Sequence, residues 1–250
     1  MRAGGAVLIA LALAAGGCRR EDPDAGRPDS ARGFPRAERL AVLAPEQGGV
    51  TEATRDAQGE AQTVMDLARI APGMTVADIG AGEGYYTIRL AQRVGKKGRV
   101  LAEDIDRGAL AKLGDRVSRE RLDNVSIKLG DAADPRLPGN SFDRVFLVHM
   151  YHEVGEPYAF LWHLRPALRP GGQVIVVDID RPTSRHGIPP AQLFCEFAAV
   201  GFRLSEFVRK PEVTGYYARF EAVGERPAPE SIRACRDPSH VQSGPPARNG

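Results

Sequence analysis

Val76-Ala-Asp78-Ile-Gly80-Ala-Gly82-Glu-Gly84-Tyr-Tyr86 decides how the chain is read. A short apolar run with β-branched residues passes through three alternate glycines into a helical pattern at 87–94, where Ile88, Leu90, Ala91 and Val94 recur. A strand, a glycine turn and a helix in that order form the opening unit of an open α/β sheet, whose backbone approaches a ligand closely at the turn. The Gly-x-Gly-x-Gly spacing differs from the Gly-x-Gly-x-x-Gly that wraps a dinucleotide pyrophosphate. Asp78, two residues before the first glycine, would repel a pyrophosphate and suits a ligand carrying an ammonium group. A nicotinamide oxidoreductase is therefore disfavoured.

Outward from this loop, strands and helices alternate. Apolar strands are expected at 76–79, 99–105, 125–129, 142–148 and 173–179, and helices at 34–43, 58–71, 87–94, 107–119 and 158–168. Strands apolar on both faces suit a parallel sheet covered by helices on each side, a doubly wound Rossmann-like plan. After a helix at 191–200, strands at 203–208 and 216–223 follow with no crossover helix between them, so they should pair antiparallel. The domain is expected to span 34–223.

The acids after the first three strands have a common logic. Asp104 ends the second strand and can accept both hydroxyls of a ribose; Glu103 and Asp106 are alternatives for that role. Asp131, with Ala132 after Gly130, follows the third strand and can accept an exocyclic amine. All three strand-end acids, Asp78 included, fall at the carboxyl edge of the sheet, where open α/β sheets bind ligands.

These residues, together with Leu168-Arg-Pro-Gly-Gly-Gln-Val174, resemble class I S-adenosylmethionine-dependent methyltransferases, especially the small-molecule group similar to quinone C-methyltransferases. The resemblance covers about 62–223. It implies a seven-stranded sheet of order 3-2-1-4-5-7-6 with strand 7 antiparallel, and S-adenosyl-L-methionine as cofactor. It also implies that Gly80, Ala81, Gly82 and Gly84 hold the methionine part, Asp104 the ribose, and Asp131 with Ala132 the adenine. The methyl acceptor is expected to be a small molecule.

Acid/base candidates follow the fourth strand in Val148-His149-Met-Tyr151-His152-Glu153. His152 with Glu153 is the preferred pair, and Tyr151 and Tyr86 the preferred pocket walls. His149, His152 and Glu153 have the ligand types of a metal site, but the sequence offers no supporting cluster, so no metal is expected. His186, after the fifth strand, is a candidate for a lid over the acceptor.

The flanks are read from composition. Met1 and Arg2, the apolar stretch 6–15 and Gly16-Gly17-Cys18 resemble a bacterial lipoprotein signal over 1–17. Acylated Cys18 would anchor the mature chain to a membrane on the periplasmic side, and a start further downstream would leave it cytoplasmic. Residues 18–33 read as a disordered tether and 224–250 as a disordered tail. Cys195 reads as a packed helix residue, with a Cys195–Cys235 disulfide conceivable in an oxidising compartment. The chain has 250 residues, 42% hydrophobic, with 34 basic against 32 acidic residues. This near-balance argues against a nucleic-acid partner, whose phosphates call for clustered Lys and Arg. A lipid-anchored protein that binds the nucleoside without catalysis is the alternative to an enzyme.

Overall fold

A computed structural model of the chain describes residues 24–39 and 51–236. Seven strands form one sheet: β1 (Thr75–Ile79), β2 (Arg99–Asp104), β3 (Val125–Leu129), β4 (Phe142–Val148), β5 (Leu168–Asp178), β6 (Phe202–Val208) and β7 (Tyr216–Ala222). Their order is β3-β2-β1-β4-β5-β7-β6. Strands β1 to β5 are mutually parallel, while β7 runs antiparallel to both β5 and β6. The expected topology is the observed one. β1 sits between β2 and β4, so the chain leaves β1 in one direction and returns on its other side. The crevice of a doubly wound sheet opens at that reversal, over the carboxyl ends of the strands.

Among the described residues six α-helices accompany the sheet: α1 (Glu52–Ala57), α2 (Glu60–Leu67), α3 (Tyr85–Val94), α4 (Arg107–Arg119), α5 (Pro157–Leu164) and α6 (Pro190–Ala199). Side chains alternate across each strand. Val76, Phe146, Ile175 and Tyr217 pack with α2 and α3, whereas Ala77, Val145, Leu147 and Val176 pack with α5 and α6. Coverage on both faces explains why the central strands show no polar alternation. Among the described residues no helix is long and apolar enough to cross a membrane.

Several boundaries depart from the sequence reading. The helix expected at 58–71 is the shorter α2, 60–67, and Gly59 in a left-handed conformation (φ 68°) divides it from α1, which the sequence reading lacked. Residues 35–39 of the helix expected at 34–43 are not helical, and 40–43 lie outside the described residues. The helix expected at 158–168 ends at Leu164 and tightens into a 3₁₀ turn at Arg165–Ala167, where Pro166 has no N–H to donate. Strand β5 begins at Leu168, five residues earlier than expected.

The tether and tail need larger corrections. The lipoprotein-like stretch, with Cys18, lies outside the described residues, but 24–33 pack on the domain. Arg27 donates from Nε and Nη2 to the two carboxylate oxygens of Glu156 (2.8 and 2.5 Å), and from Nη1 to Asp24 (2.7 Å) and the Phe34 carbonyl (2.8 Å). Ala31 and Phe34 are buried, and Phe34 meets Trp162 edge-on at 5.4 Å. A forked guanidinium on a carboxylate is among the stronger polar contacts, so charge here docks the segment rather than solvating it. In the tail, Ile232 and Cys235 are buried, and Cys235 is disulfide-bonded to Cys195 on α6. The Trp162 indole N–H donates to the Pro227 carbonyl, and the Arg226 guanidinium lies 3.4 Å over its ring. Residues 237–250 lie outside the described residues.

The disulfide closes a loop spanning 40 positions. Replacing Cys235→Ser should lower unfolding free energy by about 2–4 kcal/mol, as loops of this length do when cut open. Denaturant midpoints of the two proteins measure this; equal midpoints under oxidising conditions would mean that the bridge contributes nothing.

Candidate active site

The glycine loop joins β1 to α3. Gly80 and Gly84 both have left-handed backbones (φ 66° and 93°) with no room for a side chain: a Cβ would come within 2.9 Å of the Met150 side chain and 2.4 Å of Leu113 Cδ1. Hydrogen bonds tie the loop to β2, among them Ala81 N to the Glu103 carbonyl (2.9 Å) and Gly82 N to Asp104 Oδ2 (2.8 Å). Asp104 Oδ1 accepts from Asp106 N at 2.9 Å. Asp106 is itself committed to capping α4, accepting from Gly108 N and Ala109 N. Of the three acids considered for the ribose, Asp106 is thereby spent.

A cleft of about 230 Å³ opens beside this loop. One wall carries Gly80, Glu103, Asp104 and Ile105 with Asp131 and Ala132; the other carries His149, Met150, Glu153, Val154 and Phe160. Asp104 and Asp131 thus share one hollow. Ile105 is an exposed apolar side chain at its lip. Asp131 Oδ1 accepts from Ser30 Oγ and Ala133 N, both at 3.2 Å, so the docked N-terminal segment reaches the cleft edge.

Glu103, an alternative in the sequence reading, also lines the cleft and is almost fully buried. A Cβ on Gly130 would lie 1.4 Å from Glu103 Oε1, so the carboxyl fills the space that glycine leaves free. Burial, reinforced by the nearby Asp104 and Asp78 charges, pushes its pKa up to about 8.

Asp78 does not face the cleft, contrary to the reading of it as an ammonium ligand. It is buried behind the loop, where Oδ2 accepts the Thr87 hydroxyl at 2.6 Å, and burial lifts its pKa to about 6. Its place is to brace the first turn of α3 against β1. Ala81, Gly82 and Gly84 shape the loop without lining the cleft.

The tyrosines are likewise not pocket walls. Tyr151 is fully buried and donates to Glu196 Oε2 at 2.9 Å, beneath Arg39. Tyr86 is buried and donates to Glu60 Oε1 at 3.0 Å. A hydroxyl committed to a buried carboxylate serves the core.

His149 and His152 each stand against a buried carboxylate. His149, in a left-handed backbone conformation (φ 54°), lines the cleft with Nε2 3.6 Å from Glu60 Oε1. Glu60 is buried at the start of α2. Burial pushes its carboxyl up, but the facing His149 and the hydrogen bonds from Arg55 outweigh that and hold it down at about 2. His152 is buried outside the cleft lining, with Nδ1 2.9 and 3.1 Å from the two oxygens of Asp178, itself wholly buried at the end of β5. Its Nε2 lies 3.7 Å from Glu153 Oε1, and the His186 ring is 5.8 Å away, edge-on. Of Tyr151, His152 and Glu153, Glu153 alone lines the cleft.

Glu60 and Asp178 were missed from sequence. Asp178 had a usable signal, an acid closing the apolar run Val174–Val177 as Asp78 and Asp104 close theirs. Glu60 had none, because its role depends on α2 folding back against β4.

The antiparallel-ended sheet and the glycine-loop cleft define the class first: a Rossmann-like fold shared with solved methyltransferases. The structure of an S-adenosylmethionine-dependent methyltransferase from Aquifex aeolicus superposes with a TM-score of 0.59 at 22% identity, covering 69% of this chain and 97% of that one. Residues 76–172 match the family model described as a methyltransferase domain. Among curated proteins, the ubiquinone/menaquinone biosynthesis C-methyltransferase of Hydrogenovibrio crunogenus is 32% identical over 120 residues, 48% of this chain and 47% of that protein. A demethylmenaquinone methyltransferase of Listeria monocytogenes is 30% identical over 118 residues, 47% and 50% of the two chains. The chain spans about half the length of these curated relatives.

The raised pKa of Glu103 links stability to pH. The unfolded chain loses this proton near the ordinary glutamate value of 4.5, whereas the folded chain keeps it to about 8. Between those values the folded state binds more protons, so stability falls as pH rises. Glu103→Gln should flatten this decline, which denaturant midpoints from pH 4.5 to 8 would measure. A slope identical to that of the unsubstituted chain would remove Glu103 as its source.

Proposed function

We propose that the chain is an S-adenosylmethionine-dependent methyltransferase acting on a small molecule. The observation that carries this is the placement of Gly80, Asp104 and Asp131 around one cleft at the ends of β1, β2 and β3. On this reading Asp104 accepts the ribose hydroxyls, Ile105 packs on the adenine ring, and Asp131 exchanges Ser30 for the exocyclic amine. The methionine part lies along Gly80 and the loop.

The opposite wall then faces the acceptor. Met150, Val154 and Phe160 suit an apolar ring, and the names of the curated relatives favour a quinone-like one. The acceptor attacks the methyl carbon, the carbon–sulfur electron pair stays on sulfur, and S-adenosylhomocysteine leaves. Orientation supplies most of the acceleration, since the sulfonium is already an activated donor. His149, which lines the cleft and is backed by Glu60, takes the acceptor's proton. His152 is the alternative base, with Asp178 fixing its tautomer and Nε2 turned towards Glu153.

Calorimetry with S-adenosylmethionine and S-adenosylhomocysteine tests donor binding. Asp104→Ala should weaken both by about 1.5–3 kcal/mol, the usual cost of losing hydrogen bonds to a charged group. Product mass spectrometry with labelled donor and a membrane lipid extract tests turnover, and His149→Gln should lower kcat by about 10²–10⁴. No donor binding by the folded chain would sink the reading. Full turnover in His149→Gln would move the base to His152.

We further propose that the chain is exported and anchored through acylated Cys18. The Cys195–Cys235 bridge supports this, because thiols pair and stay paired in oxidising compartments. Radioactive fatty acid should label the intact chain and fail to label Cys18→Ala; equal labelling would end the proposal.

A further inference from the structure

His152, Glu153 and His186 converge from two loops at the carboxyl edge of the sheet. His152 and Glu153 come from the turn after β4, and His186 from the connection between β5 and α6. One donor atom from each can be chosen so that all three lie within 4.8 Å of one another. Glu153 Oε1 stands 3.7 Å from His152 Nε2 and 3.9 Å from His186 Nδ1. Four-coordinate zinc, with ligands at about 2.0–2.2 Å, separates its donors by roughly 3.3–3.6 Å. The donors spread over as much as 4.8 Å, so binding draws them together: the largely exposed Glu153 carboxylate turns towards both rings and the His186 ring swings towards His152.

A further observation points the same way. Histidines that bind metals usually donate their second ring N–H to a carboxylate, which fixes the tautomer and turns the other nitrogen to the ion. His152 has that partner in Asp178, at 2.9 Å from Nδ1. His186 is held by its backbone, with its carbonyl accepting from Arg181 Nε at 3.1 Å, and Nδ1 is the ring nitrogen that stands near Glu153. The sequence reading lacked this cluster because His186 lies 33 positions beyond Glu153, and only the fold joins them.

We propose that His152, Glu153 and His186 form a binding site for a divalent transition-metal ion of the zinc type. Two imidazoles, one carboxylate and open positions make the donor set of catalytic rather than structural zinc sites. Glu153 also lines the cleft, so the ion stands at its acceptor wall. Resting on the methyl-transfer reading, its substrate class is an acceptor with a hydroxyl or enol oxygen. That oxygen coordinates the ion, and its proton passes to His149. Coordination lowers the pKa of a bound O–H and orients it at the same time.

Cobalt(II) is the probe, added to the untagged, metal-free full chain. One ion per chain should bind, with the intense visible absorption of a four-coordinate site. Glu153→Gln and His186→Asn should each weaken cobalt binding by about 100-fold, and Asp178→Asn by about 10–100-fold. His163→Gln, which removes a histidine remote from the cluster, should leave it unchanged. Asparagine tolerates the left-handed backbone at position 186, and Glu153 is exposed, so both variants should fold, as circular dichroism would verify. Absence of stoichiometric binding by the folded chain, or undiminished affinity in Glu153→Gln, overturns the proposal. Calorimetry with S-adenosylhomocysteine on the same samples separates the two readings. Homocysteine-nucleoside binding without cobalt binding defeats the metal site alone, and the reverse defeats the methyl-transfer reading while the metal site stands.

Discussion

The hydrogen bond from Gly82 N to Asp104 Oδ2, 2.8 Å long, joins the turn after β1 to the end of β2. Everything at the cleft depends on that link. It aims one carboxylate oxygen at the loop, while Asp106 N fixes the other at 2.9 Å. The loop can come this close because Gly80 and Gly84 carry no Cβ where Met150 and Leu113 stand. Parallel strands make the arrangement possible, since neighbouring strands end at one edge and present their terminal acids side by side. A carboxylate reached by two backbone N–H groups has its position set by the fold, before any ligand arrives.

That same packing concentrates negative charge. Asp78, Glu103 and Asp104 lie within two adjacent strand ends, and the first two are buried. Burial raises the pKa values of this pair to about 6 and about 8, so near neutral pH Glu103 holds its proton and the conflict is eased there. Asp78 is further steadied by the Thr87 hydroxyl, and Glu103 by a backbone hydrogen bond from Gly80. A cationic ligand entering the cleft would therefore meet Asp104 as the accessible charge and Glu103 as a group it can persuade to ionise. Electrostatics thus favours a sulfonium over a pyrophosphate at this edge, consistent with the glycine spacing.

The sheet was legible because its signals are local: apolar runs, glycine turns and a final pair of strands with no helix between them. The acids on the strands were legible as a group, though their individual places were not. Asp78 and Asp104 look alike in sequence, and which one faces the cleft is decided by Thr87 at the start of α3. Tyr151 and Tyr86 looked like pocket walls because they neighbour the right residues in the chain. Their hydroxyls instead satisfy Glu196 and Glu60, acids 45 and 26 positions away. Contacts of that kind have no periodicity, so no pattern in the sequence announces them.

The flanking segments carry a more general lesson about charge. Residues 24–33 have the composition of a solvated linker, yet Arg27 is buried because Glu156 offers both carboxylate oxygens to its guanidinium. Composition reports only the cost of burying a charge and is blind to a partner held in register elsewhere. Residue 39 repeats the pattern: Arg39 pairs with Glu196 and donates to the carbonyls of Tyr151 and Val154. Arg39 therefore grips the turn that carries His152 and Glu153 at both ends, and Arg27 holds Glu156 just beyond it. Through Ser30 the same segment touches Asp131. A stretch that reads as a tether in this way braces the chain just beyond Glu153 on one side of the cleft and reaches Asp131 on the other.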